Sequence, residues 1–469
     1  MTFTPYPHQS QLRVDARVAL RSHQSVLVYS PTGSGKTNFA AMLIDLIIKV
    51  GKTVIFGVHR DALIKQTATT FDGHGIFYSY IAAGYHHNPY RKVHIASIPT
   101  LQNRLGKYPA DYMFIDEAHL SASAGWAKTV NHYKEAGTKI IGLTGSPERL
   151  DGKPLGDVWD TMILGPSVAY LIERGFLSRY RAFAPAGVDL SGVHTRNGDY
   201  VSSEIDEIMS GKAVLAGAVK HWRKYAPSLR TIAFAPSIAR SEQLAAEFRA
   251  NGINAVSLDG GTQKSDRVRA FRDFADRKVD VLVNVRLFTE GFDLAAQVGR
   301  DVVIECVLDY APTQSLALHL QKHGRGLRRD DKPHVLLDLV GGFARLGLPD
   351  DEREWSLEGR VKDKRAKDDD EEKARTCPTC FASHNPAPVC PECGHVYEVQ
   401  ARKVEEVEGD LEEIDVTALR KQRVVEQAKA QTLDDLIRLA TARGYRSPQA
   451  WAAHIWTARQ AKQKQRMAG

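Results

Sequence analysis

From residue 25 to about 338, short β-branched runs alternate with helix-like stretches. That is the pattern of strands joined by crossover helices in a parallel sheet. One set of predicted strands covers residues 25–29, 53–58, 112–115 and 139–143, and a second covers 231–234, 279–285, 301–304 and 334–337. Between the sets, 165–210 carries weaker periodicity and a polar turn cluster at 194–199. The pattern therefore predicts an α/β chain with two tandem parallel-sheet domains, 1–165 and 215–350, and an inter-domain passage with a small insertion at 166–214.

After Asp350 the pattern changes. Residues 351–376 form a charged linker whose row of acids, Asp368, Asp369, Asp370, Glu371 and Glu372, suits a solvated segment. A cysteine cluster follows at 377–397, and 398–469 is polar and helix-prone with a break at Gly444 and Pro448, which predicts two or three helices.

A length of 469 residues suggests about three folded units. Hydrophobic residues at 43% and charged residues at 25% exclude wholesale disorder, collagen-like repeats and a disulfide scaffold. The excess of basic over acidic residues, 63 − 56 = +7, suits a polyanionic partner. The most apolar helix-like run, 40–50, is interrupted by Asp45 and Lys49 and is too short to cross a bilayer. No apolar leader precedes Gln24, so a cytoplasmic protein is expected. Cys306 stands alone in an apolar run and reads as a core thiol.

Residues 26–37, Val-Leu-Val-Tyr-Ser-Pro-Thr-Gly-Ser-Gly-Lys-Thr, read as a strand, a Gly-rich turn and a helix opening at Asn38. Amides of Thr32, Gly33, Ser34 and Gly35 can point at polyphosphate oxygens, with Gly33 and Gly35 allowing close approach. Lys36 would reach the β and γ phosphates of ATP and Thr37 would hold magnesium. The competing reading, a fortuitous Gly-Lys-Thr turn, does not account for the strand and helix around it. Downstream, an apolar strand delivers Asp116 and Glu117 at its carboxyl end, where α/β sheets place ligands. Asp116 would be polarised towards magnesium and Glu117 would orient and deprotonate water.

With Asp116-Glu-Ala-His119 the chain resembles the superfamily 2 helicases and translocases of the DEAH-box type, and further motifs follow in that family's order. Tyr6-Pro-His-Gln9 resembles the glutamine motif that reads adenine. Residues 58–66 and 96–101 resemble motifs Ia and Ib, which implies that Arg60, Gln66 and Thr100 face a nucleic-acid strand. Gly142-Leu-Thr-Gly-Ser-Pro147 stands where the family has Ser/Thr-Ala-Thr; it differs by a glycine and a serine but keeps both hydroxyls. The resemblance gives His119, Thr144 and Ser146 the coupling of hydrolysis to movement. Residues 231–237 resemble motif IV, 288–293 resemble motif V with Gly291 and Asp293 at the nucleotide, and Gln321-Lys-His-Gly-Arg-Gly-Leu-Arg328 resembles motif VI. Gln321 joins the catalytic set, and Arg325 and Arg328, spaced to leave one helix face together, would be arginine fingers. The resemblance covers roughly residues 5–345 and implies two RecA-like domains with ATP between them. Within the superfamily it looks closest to phage branch-migration helicases, restriction-enzyme motors and mitochondrial branched-DNA helicases.

Cys377, Cys380, Cys390 and Cys393 form two Cys-x₂-Cys pairs suited to a closed tetrahedral zinc site. The module resembles a zinc ribbon, with iron–sulfur and redox roles as the alternatives. It could grip DNA, brace the core or bind a protein. From Leu436 onward there is no acidic residue, while Arg438, Arg443, Arg446, Arg459, Lys462, Lys464 and Arg466 accumulate beside Tyr445, Trp451 and Trp456. The basic side chains suit phosphate; Leu436, Leu439, Trp451, Ile455 and Trp456 read as packing of a small helical domain. The expected function is an ATP-dependent DNA helicase or translocase acting on single-stranded, forked or branched DNA in replication, recombination or repair. An RNA helicase of the same architecture and a weakly hydrolysing nucleic-acid-binding regulator are the rivals. No membrane partner is expected.

Overall fold

The computed structural model describes residues 5–149, 152–184, 188, 190, 192–196, 198–288, 294–359, 374–397, 426–427, 429–442, 448–449, 452–453 and 455–456. The chain forms two compact units, 1–398 and 399–469.

The larger unit contains two sheets. The first has seven parallel strands, β1 (Ser25–Tyr29), β2 (Val54–Val58), β3 (Tyr78–Ile81), β4 (Val93–Ser97), β5 (Tyr112–Ile115), β6 (Lys139–Thr144) and β7 (Thr161–Leu164), in the order β3-β4-β2-β5-β6-β1-β7. Alternate residues of each strand supply opposite faces. Val26, Val28, Phe56, Phe114 and Ile141 pack on one side, and Leu27, Ile55, Met113, Ile115 and Ile140 on the other. Both faces are covered, as parallel sheets require.

The second sheet contains β8 (Tyr180–Phe183), β11 (Thr231–Phe234), β12 (Ala255–Leu258), β13 (Val281–Asn284), β14 (Cys306–Asp309), β15 (His334–Asp338), β16 (Arg375–Thr376) and β17 (Ala382–His384). Its order is β12-β13-β11-β14-β15-β8-β17-β16. Pairing is parallel from β12 through β8 and antiparallel from β8 to β17 and β16. Strand β8 falls inside the passage expected at 166–214, yet it belongs to this sheet. The cysteine module at 377–397 likewise extends the sheet edge. A hairpin of β9 (Thr195–Arg196) and β10 (Asp199–Tyr200), followed by helix Ser202–Ile208, forms the insertion.

The strand expected at 301–304 is displaced to β14. Val302 and Ile304 are buried, but the ladder to β11 opens where Glu305 N and Cys306 N both donate to Arg230 O and Cys306 sits opposite Thr231. Cys306 itself is fully buried.

After β15 and helix Gly342–Leu346 the chain returns to the first lobe as a strap, 349–359. There Leu357 O accepts from the amides of Leu155 and Gly156 at 2.8 and 3.0 Å, and the Trp355 ring lies 5.3 Å from that of Tyr29. In the smaller unit, helix Leu433–Ala442 buries Leu436 and Ala440 with Ala430 and Ala452, and Leu439, Ile455 and Trp456 pack against them. The helix fits the expected helical character; Arg443, Tyr445, Arg446, Trp451, Arg459, Lys462, Lys464 and Arg466 lie outside the described residues. Among the described residues no helix is long and apolar enough to cross a membrane.

Candidate nucleotide cleft and cysteine site

Strand β1 ends in the turn 30–35, and helix Lys36–Lys49 begins two residues earlier than the apolar pattern suggests. Gly35 caps it at φ 84°, and Gly33 has φ 85°. The positive φ of Gly35 favours glycine, and a Cβ there would lie 2.4 Å from Gln9 Nε2, so a larger residue would also push the Gln9 amide off the loop. Gln9 is buried at the start of helix Pro7–Ser22 and donates to Ser34 O and Gly35 O, both at 3.3 Å, while its Oε1 accepts from Tyr6 N at 3.0 Å. The glutamine motif therefore buttresses the phosphate loop directly. The rings of Tyr6 and Phe176 are 4.6 Å apart beside it.

Lys36 Nζ donates to Ser30 O at 3.2 Å. Burial pushes its pKa down, the carboxylates of Glu117 and Asp116 oppose that, and the Arg325 guanidinium adds to the fall. All four groups thus share one cleft. Burial and the adjacent Glu117 raise the Asp116 carboxyl, with Lys36 opposing, to about 6. Glu117 sits at φ 50°, a left-handed conformation costly for a side-chain-bearing residue and frequent at functional sites. Its Oε2 is buried, 3.6 Å from His119 Nδ1, and has no hydrogen-bond partner among the described residues.

His119 Nδ1 lies 3.1 Å from Thr144 Oγ1. Thr144 Oγ1 donates to Ser146 O at 2.9 Å and accepts from Ser146 N at 3.1 Å. The three residues expected to couple hydrolysis to movement are joined at the end of β6. A Cβ on Gly145, where the resembled family has alanine, would lie 3.1 Å from Thr32 Oγ1 and 3.3 Å from Lys36 Nζ, a tight fit against two side-chain ends of the cleft.

Across the cleft, helix Leu316–Gly324 carries buried Gln321, whose Nε2 has no hydrogen-bond partner among the described residues. A Cβ on Gly324 would come within 2.8 Å of Thr32 Cβ. The shared helix face expected for Arg325 and Arg328 is not formed. The α-helix stops at Gly324, Arg325–Leu327 is a 3₁₀ turn, and Arg328 is extended at φ −60°, ψ 140° because Leu177 bridges to it. Arg328 Nη1 instead lies 3.9 Å from Asp301 Oδ1. Gly291 and Asp293 lie outside the described residues.

The donor set fits ATP and magnesium: a glycine cradle at positive φ, an ammonium, two carboxylates of which one has an unpartnered buried oxygen, and a hydroxyl, Thr37, on the first helical turn. A cavity of about 120 Å³ beside the loop is lined by Tyr29, Thr32, Gly145, Leu327, Arg353 and Trp355. The strap residues in that list had no signal in the sequence, where 350–358 reads only as charged chain.

Arg60 and Gln66 follow β2, and Thr100 follows β4, so all three occupy the carboxyl edge of the first sheet. Arg60 Nη1 donates to Arg286 O of the second lobe at 3.4 Å. Gln66 and Thr100 are half-buried on helices Asp61–Gly73 and Ile98–Gln102.

In the cysteine module, Cys377 Sγ is 3.6 Å from Cys393 Sγ and Cys380 Sγ is 3.7 Å from Cys390 Sγ. All four sulfurs lie within 4.8 Å of one another. Sulfurs about 2.3 Å from a central zinc in a tetrahedron are about 3.8 Å apart, so the set fits that ion. Tyr225 OH donates to Cys380 O at 3.0 Å, tying the module to the second lobe.

Comparison with known proteins matches residues 2–149 to the family described as "Type III restriction enzyme, res subunit" and 215–330 to the "Helicase conserved C-terminal domain". A 51.5 kDa protein of a Lactococcus phage is 31% identical over 395 residues, covering 83% of this chain and 82% of that one. The Saccharomyces cerevisiae protein named "Putative ATP-dependent helicase IRC3" is 30% identical over 260 residues, 53% of this chain and 37% of its own length. The chain thus spans little more than a third of that relative. The fold is also that of the Type ISP restriction-modification enzyme LlaBIII, solved bound to DNA, with a TM-score of 0.56 at 15% identity over 72% of this chain and 28% of that one.

Proposed function

The chain belongs to the superfamily 2 helicases, related to those that drive restriction enzymes, and from that premise we propose that it is an ATP-driven DNA helicase or translocase acting on forked or branched DNA. The observation that carries this reading is the meeting of Thr32 with Gly324, with Lys36, Asp116 and Glu117 of one lobe sharing a cleft with Arg325 of the other. Cleft residues contributed by two lobes make hydrolysis sensitive to lobe closure, and closure can move a strand held along both.

Glu117 orients and deprotonates the attacking water, Gln321 helps to hold it, and Arg325, with Arg328 once the cleft tightens, stabilises the spreading phosphoryl charge. Magnesium, held by Thr37 and Asp116, would supply neutralisation of the phosphate oxygens. Gln9 orients the phosphate loop and reads adenine, and the resemblance assigns Gly291 and Asp293 to the nucleotide. Arg60, Gln66 and Thr100 hold the strand at the carboxyl edge. Zinc at the four cysteines braces the second lobe, and the basic tail adds phosphate contacts. The setting is replication, recombination or repair in the cytoplasm of a cell, a phage host being the one suggested by the Lactococcus phage relative.

The test is ATP hydrolysis by the purified chain without nucleic acid and then with single-stranded DNA, duplex, a fork, a four-way junction and matched RNA. Stimulation by fork or junction above duplex, with little from RNA, is the expected result. Preferential stimulation by RNA would transfer the same residues to an RNA helicase, and no stimulation by any polymer would favour a regulator.

A further inference from the structure

Behind Gln321, the next residue of the same helix turns away from the nucleotide cleft. Lys322 is almost fully buried, and its Nζ lies 2.5 Å from Asp309 Oδ2 and donates to Asp309 Oδ1 and Ala311 O, each at 2.7 Å. Asp309, the last residue of β14, is 1% exposed, and its Oδ1 also accepts from Ala311 N at 3.1 Å. His323 Nε2 is 3.5 Å from Asp309 Oδ2, and His319 Nε2 lies 2.9 Å from Gly347 O.

The donor atoms of Asp309, His319 and His323 lie within 4.8 Å of one another, as in a metal site. The Lys322 ammonium already occupies that carboxylate, so a dication would enter against a fixed positive charge. The cluster is an ion pair, and the desolvation of two buried charges offsets much of their attraction, so the pair adds little net stability.

Lys322 also lines a cavity of about 50 Å³ with Pro236, Arg286, Ala311, Asp199 and Tyr200. The cavity lies where β11, β13 and β14 end, the ligand edge of a parallel sheet. Asp199 is locked there, accepting from Thr313 Oγ1 and Gln314 N, both at 2.8 Å. Arg286 holds φ 53°, and its carbonyl takes the bond from Arg60 of the first lobe. Lys322 therefore borders the carboxyl-edge cavity, while Gly324, two residues on in the same helix, abuts Thr32 of the phosphate loop.

We propose that Lys322 and Asp309 are a positioning pair that sets the rotation of helix Leu316–Gly324, so that a nucleic-acid strand laid over the carboxyl edge of the second sheet, outside this small cavity, aligns Gln321 and Arg325 for hydrolysis. This rests on the helicase reading above. Movement of the β14 end shifts the Asp309 carboxylate, and the ammonium bound to it carries the helix along. The pair touches neither nucleotide nor water.

The test compares the wild-type chain with the double variant Asp309→Asn/Lys322→Met, which removes both charges together and leaves no buried unpaired ion. Melting temperature, KM for ATP, affinity for single-stranded DNA, and kcat with and without DNA are measured. The expected result is a folded protein with KM and DNA affinity near wild type, while DNA-stimulated kcat falls by on the order of 10²-fold and the stimulation ratio approaches one. A variant that keeps the wild-type ratio overturns the proposal, as does one in which basal and stimulated rates fall equally or that fails to fold while Asp309→Asn alone folds and keeps the ratio. A wild-type chain that no polynucleotide stimulates removes the helicase reading itself, which is seen before any variant is made.

Discussion

Gly324 of the second lobe approaches Thr32 of the first so closely that a methyl group on the glycine would lie 2.8 Å from the threonine Cβ. Backbone meets side chain there without room for a Cβ, so the contact is set by lobe packing and not by a mobile side chain. It brings the end of helix Leu316–Gly324 against the phosphate loop, and the position of Arg325 beside Lys36 depends on it.

Gly324→Ala should therefore hold the lobes apart. Overpacking of this kind costs about 1–3 kcal/mol, which at the cleft corresponds to a loss of about 5- to 150-fold in kcat/KM. Steady-state ATP hydrolysis with saturating DNA measures it, and the melting temperature should change little because each lobe keeps its own core. Unaltered kcat/KM would mean that hydrolysis does not need this contact.

Glu117→Gln and Lys36→Ala should fail differently. The amide keeps the size of Glu117 and the left-handed turn but cannot take a proton, so phosphate release should fall by about 10²- to 10⁴-fold while ATP still binds. Removing Lys36 deletes the ammonium that Asp116 and Glu117 face, and binding itself should weaken. Fluorescent nucleotide binding beside phosphate release separates the two, and comparable hydrolysis by Glu117→Gln and wild type would displace Glu117 from its role.

Much of the first lobe was legible because β1, β2, β5 and β6 are apolar on both faces, and the phosphate loop and the Asp116–Glu117 pair announce their chemistry within a few residues. Strands β3 and β12 were not, because Tyr-Ser-Tyr-Ile and Ala-Val-Ser-Leu are short edge strands with polar positions. Strand β8 escaped because its partner, β15, lies about 150 residues away, a relationship no local pattern encodes. The same holds for Trp355 on Tyr29 and for the Leu177 bridge that turns Arg328 out of the helical direction. Motif order located the arginines; the path of the backbone through them required tertiary contacts.

Asp160 gives a pH dependence with a definite sign. Its carboxylate accepts from Ser25 N at 2.8 Å, Gln24 N at 2.9 Å and Lys134 Nζ at 2.8 Å, fixing the start of β1. Burial alone would raise its pKa, but Lys134 and the amides outweigh burial and bring it from 3.8 down to about 2. A carboxyl depressed on folding stabilises above its unfolded value, so the contribution is complete above about pH 4 and disappears as pH falls through about 2. Asp160→Ala should cost about 2 kcal/mol at pH 7 and progressively less below pH 4. Urea unfolding of both proteins across that range reads the difference; a pH-independent gap would assign the loss to packing.

The cysteine module separates bracing from gripping. Strand β17 pairs with β8 through Ala382 and Phe183, Cys377 is buried in the core of the second lobe, and Tyr225 bonds to Cys380 O. A module this small would depend on a zinc held by the four cysteines for its folding, so removing that ligand set should release β16 and β17 and expose the β8 edge. Cys377→Ser should therefore lose zinc, lower the melting temperature of the second lobe by several degrees and reduce ATP hydrolysis even without DNA, because β8 is hydrogen-bonded to β15 and leads back to Leu177 and Arg328. A module that only gripped DNA would leave DNA-independent hydrolysis and the melting temperature intact while weakening DNA affinity. Metal content, calorimetry and basal phosphate release on one preparation distinguish the two, and intact basal hydrolysis in a zinc-free chain would remove the bracing role.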